Sequence, residues 1–169
     1  MIPKNEYAPF YEPYMKALIE NDKSIIENLI DVQETFMSIL ESLPKEKQEF
    51  AYAEGKWTIK ELIQHLIDTE LVFCYRALCF ARNDKTSLPG FDQDLFVANC
   101  NANVRNYKEL LHEMTILRKG TIQLFKSFSK EALLRIGNGS GKNMSVRAVG
   151  FIISGHQQHH LNIIKERYL

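Results

Sequence analysis

The chain reads as an all-α protein, a four-helix bundle of antiparallel type, and three features carry that reading. Four long segments place apolar residues at three- and four-residue steps with charged residues between them, the pattern of helices that each bury one face. No stretch alternates convincingly as a strand, and no internal repeat is present. At 169 residues, 45% hydrophobic and 25% charged, the chain can bury a real core and is expected to form one domain over 1–169.

The elements follow in order. Pro3, Pro9 and Pro13 stand among Tyr7, Phe10 and Tyr11. Prolines at that density oppose a regular helix, so residues 1–13 are expected as an extended strap with its aromatics against the body. From Tyr14 to about Ser42, Leu18, Ile25, Leu29, Val32 and Phe36 keep a helical stripe, which Pro44 ends. A polar connection, Lys45 to Gly55, leads to the second helix. There Thr58 and Glu61 have capping-box spacing, and Trp57 and Leu62 suit a hydrophobic staple. This helix should run to about Arg82. Pro89-Gly90 marks a loop over Asn83 to Asp94. A third helix should begin between Asp92 and Asn101 and end near Phe128, followed by a short helical turn over Ser129 to Leu134. Gly137 to Lys142 reads as a connecting loop, without the glycine-lysine spacing of a phosphate cradle. Ser145 then caps a last helix reaching Tyr168, whose inner stripe is Val146, Val149, Ile153, His156, His160 and Ile163.

Bulk properties narrow the function. Lys plus Arg and Asp plus Glu are both 21, a balance unlike that of nucleic-acid binders, which carry a basic surplus. Cys74, Cys79 and Cys100 form no C-x-x-C pattern and are expected as free thiols in a reducing compartment. The start lacks signal-peptide architecture and no apolar run reaches bilayer length. The expectation is a cytoplasmic protein that binds neither membrane nor nucleic acid.

The chemistry concentrates in Gly155-His156-Gln157-Gln158-His159-His160. His156 and His160, four apart, share one face of a helix and point inward along its stripe. Alone, such a pair is equally a core histidine beside an exposed one. A third imidazole changes that. His65 lies at the border of the second helix's buried face, and metal sites in bundles are built from inward side chains on facing helices. Three neutral imidazoles suit a divalent transition metal and leave a position for water or substrate. Glu61, one turn before His65, is a candidate to hold its other nitrogen, in competition with the capping box.

Trp57-Thr58-Ile59-Lys60-Glu61-Leu62-Ile63-Gln64-His65 resembles the first-histidine signature of the DinB superfamily, in particular its YfiT-like branch. Gly155 to Leu161 resembles the second signature, a histidine pair separated by three residues, and Leu88-Pro89-Gly90-Phe91-Asp92 is similar to the aromatic-Asp loop of YfiT-like proteins. The resemblance covers essentially the whole chain. It implies up-down-down-up connectivity, a homodimer, and a divalent metal, Zn or Ni, held by His65, His156 and His160. It also implies a metal-dependent hydrolase or a transferase using a low-molecular-weight thiol such as bacillithiol or mycothiol.

Two further residues are candidates at such a site. Arg76, three turns beyond His65, is placed to bind an anionic substrate or to pair with a surface acid. Asp92 is placed to act as acid, base or substrate contact, or to cap the third helix. His159 and His112 are expected at the surface. The leading expectation is an enzyme acting on a small molecule; the alternative is a non-catalytic metal- or ligand-binding stress protein.

Overall fold

The structure, a computed structural model, describes residues 2–169; Met1 lies outside the described residues. Four long helices form the bundle: α2 (Ile25–Glu41), α3 (Ile59–Ala81), α5 (Tyr107–Lys126) and α7 (Val146–Ile163). Shorter helices surround them: α1 (Glu12–Ile19), α4 (Gln93–Asn99) and α6 (Lys130–Leu133). Contacts between named pairs fix the helix directions. On α2 and α7, Ile25 meets Gly150 and Gln33 bonds Gln157, so these helices run parallel. Gln64 bonds Arg105 just before α5, while Glu70 bonds Arg118, so α3 and α5 also run parallel. Leu29 pairs with Arg118 and Leu40 with Tyr107, which makes α2 and α5 antiparallel. His65 near the start of α3 meets His156 and His160 late in α7, which makes that pair antiparallel. The connectivity is up-down-down-up.

Local chemistry explains where the elements begin. Ser24 caps α2 and Thr58 caps α3, each with a complete capping box to Glu27 and Glu61. Both satisfy backbone donors that a helix start leaves unpaired. Asn106 and Ser145 cap α5 and α7. The core divides between two clusters. One gathers Met15, Leu29, Phe73, Phe80 and Val149; the other gathers Phe36, Leu40, Leu62, Leu110 and Leu161. Between them Arg118 donates two bonds to Glu70, which also accepts from Thr121.

Three expectations need correction. The first helix is not continuous from Tyr14. It is α1 and α2, broken where Asp22 takes a left-handed φ of 57° and Ser24 starts a new cap. Asx residues tolerate that conformation, and the break lets α1 fold back onto α7. The third helix is likewise split, with α4 ending before Asn101, also left-handed at φ 52°. Last, the glycine-rich segment is not a plain loop but a hairpin of β1 (Ile136–Gly139) and β2 (Lys142–Ser145). Ser140 and Gly141 both have positive φ, the twist that a two-residue hairpin turn needs. Within the expected strap, Lys4–Glu6 and Pro9–Tyr11 form 3-10 turns. Pro13 sits in the first turn of α1, where its missing N–H costs nothing.

Candidate metal centre

α3 and α7 bring His65, His156 and His160 to one point. The Nε2 atoms of His65 and His160 each lie 3.1 Å from that of His156, and the three donors all lie within 4.8 Å of one another. A tetrahedral ion with metal–nitrogen bonds of about 2.0–2.1 Å separates its ligands by roughly 3.3 Å, so the spacing suits one. His65 is buried and the other two are half-buried. Burial lowers the pKa of His65 to about 4. It lowers that of His160 to about 3, with repulsion from His65 and His159 adding to the effect. His156 is pushed well below its ordinary range by burial, then by the other histidines. All three rings are therefore neutral at pH 7, the state in which imidazole binds a metal.

The surroundings hold these rings. Thr69 Oγ1 approaches His65 Nδ1 at 3.5 Å. Trp57 lies 4.7 Å from the His65 ring and 6.4 Å from the His160 ring, centre to centre, and walls one side. Glu61 does not orient His65. Its carboxylate accepts from the Thr58 backbone and from Asn103, so the capping role prevails. Among the described residues, His160 Nδ1 is buried without a hydrogen-bond partner. Three nitrogen donors and no thiolate form a borderline donor set that suits a divalent transition metal.

A cavity of about 610 Å³ opens beside His156 and His160. Tyr14 and Phe73 line it, and Arg76 lies in its wall. Asp92 is exposed, accepts from the Leu95 N–H as the cap of α4, and is not among the lining residues, although Phe91 and Gln93 are. His159 is exposed with its ring 4.9 Å from that of Tyr14, and His112 is exposed. The three cysteines are free. Sequence reasoning missed Trp57, Tyr14 and Ser140 as neighbours of the site. The Ser140-Gly141 turn pair was the available signal for the last; α1 brings Tyr14 in by a tertiary contact that no local pattern encodes.

Comparisons with known proteins bear on the family and the fold. A sequence model of the DinB superfamily matches residues 28–164. An Oceanobacillus iheyensis protein named "Putative metal-dependent hydrolase OB0413" is 24% identical over 158 residues, covering 89% of this chain and 87% of its own. The solved structure of YfiT from Bacillus subtilis, described as a probable metal-dependent hydrolase with an unusual four-helix bundle topology, superposes with a TM-score of 0.76 at 15% identity. That match covers 84% of this chain and 82% of the other. No helix among the described residues is long and apolar enough to cross a membrane.

Proposed function

We propose that this chain, which belongs to the DinB superfamily, is a metal-dependent hydrolase acting on a small molecule, with His65, His156 and His160 holding one divalent transition metal. The observation that carries this reading is the convergence of three neutral Nε2 donors, 3.1 Å apart in two of the three pairs, at the edge of an open cavity. His65, His156 and His160 would hold the metal, which would supply Lewis acidity and make hydroxide available near neutral pH. The chain's own residues do the rest. Thr69 and Trp57 hold the His65 ring from two sides. Tyr14 packs edge-on to His156 and His159 and lines the cavity. Burial disfavours the imidazolium form, so each neutral ring keeps one nitrogen lone pair that can bind a metal.

A cavity bordering the histidines supports an enzyme over a closed binding protein, because a substrate needs access to the reacting point. The test is a screen of small esters and amides with metal-loaded and chelator-treated protein. Turnover that needs the metal and is absent from His156→Ala supports the reading. Turnover indifferent to chelation contradicts it, and turnover that requires added bacillithiol or mycothiol reassigns the reaction to thiol transfer.

A further inference from the structure

We propose that Arg76 forms an anion subsite in the cavity beside the histidines, and that the substrate is an extended small molecule ending in a carboxylate. The proposal deepens the hydrolase reading, on which it rests for the position of the reacting end. Its evidence is a contrast between two arginines. Arg76 and Arg118 are each only 2% exposed. Arg118 is neutralised: its Nε and Nη2 donate to the two oxygens of Glu70, and its Nη1 to the Leu29 carbonyl. Arg76 has no carboxylate partner among the described residues. Its Nη2 donates to two neutral oxygens, the Pro89 carbonyl at 2.9 Å and Ser140 Oγ at 2.7 Å. Its Nε is buried with no hydrogen-bond partner among the described residues. Folded proteins rarely bury a charge without pairing it, so an unneutralised guanidinium in a cavity wall indicates a ligand that supplies the missing charge.

The cavity has the matching chemistry. It has no Asp or Glu among its lining residues, and Lys142 adds a second cation. Phe73 and Phe91 contribute aromatic wall, the neutral Tyr11 hydroxyl also faces Arg76, and the guanidinium carbon lies 5.5 Å from the centre of the Phe73 ring. The hairpin backbone lies against Arg76: a Cβ on Gly139 would stand 3.0 Å from Nε. The arginine is therefore held between the hairpin and the Phe73 ring, with its charge fixed in the cavity wall. Eleven residues of α3 separate Arg76 from His65, about 16 Å of helical rise. The anion thus marks the far end of the ligand, and the hydrolysed group lies towards the histidines.

The experiment titrates chelator-treated protein with phenylacetate and with its neutral isostere phenylacetamide, by calorimetry, for wild type, Arg76→Lys, Arg76→Gln and Lys142→Gln. Thermal unfolding checks each variant. Wild type should bind the acid at least tenfold more tightly than the amide. Arg76→Gln should abolish that preference, with Arg76→Lys and Lys142→Gln retaining part of it. Equal binding of acid and amide by wild type, no binding of the acid at millimolar concentration, or an undiminished preference in Arg76→Gln would overturn the proposal. If Arg76→Gln does not fold, the wild-type comparison and Arg76→Lys decide, a preference undiminished by Arg76→Lys counting against the subsite. Because the metal is removed throughout, failure here leaves the three-histidine reading standing, and failure of that reading leaves this result unaffected.

Discussion

A Cβ built on Gly155 would stand 2.1 Å from the carbonyl oxygen of Tyr14. The backbone of α1 therefore rests directly on α7 one residue before His156, and only glycine permits the approach. This contact seats the Tyr14 ring beside His156 and His159 and closes one side of the cavity.

Gly155→Ala should accordingly destabilise the protein by about 1–3 kcal/mol, the usual cost of overpacking a close contact. It should also loosen the cavity wall. Denaturant unfolding measures the first effect, and protease nicking near residues 8–20 measures the second. An alanine variant of unchanged midpoint would mean that α1 does not pack as described.

The three histidines predict an acid sensitivity of defined sign. Their folded pKa values lie below the ordinary 6.5, at about 4 for His65 and about 3 for His160. The unfolded chain therefore binds more protons than the folded one across that interval, and stability must fall as pH drops below 6.5. For His65 alone the loss approaches roughly 3 kcal/mol once the pH is below both values. Metal-free protein should show a lower urea midpoint at pH 5 than at pH 7.5, and His65→Leu should flatten that dependence. A slope of the opposite sign would contradict the buried neutral rings.

Trp57 is the chain's single tryptophan and lies 4.7 Å from the His65 ring. Adding Co²⁺ or Ni²⁺ to metal-free protein should quench its fluorescence with an endpoint near one equivalent. His160→Ala should remove the sharp endpoint. Unchanged emission across the titration would place the ion elsewhere.

Much of this arrangement was legible in the sequence because it is local. The Thr58–Glu61 box and the Ser145 cap obey short-range hydrogen-bond rules. His156 and His160 extend an apolar stripe, so their inward direction follows from helical periodicity. What escaped was decided by tertiary contact. The chain breaks at the left-handed Asp22, and α1 packs against α7 at Gly155. The hairpin over Ile136–Ser145 is held by Leu88, which exchanges backbone bonds with Asn138 and Ser140, and by Phe80, which leaves no room for a side chain at Gly137. Arg76 was visible as a candidate, but its lack of a carboxylate partner required the fold.

The most direct test of the centre is the metal content of tag-free protein, wild type beside His65→Ala and His160→Ala, by elemental analysis after dialysis. About one divalent transition metal per chain in the wild type and little in either folded variant is the predicted result, since losing one of three ligands removes most of the affinity. A wild type that stays metal-free after reloading, with both variants folding unchanged, would show that the three histidines are core residues and not a metal site.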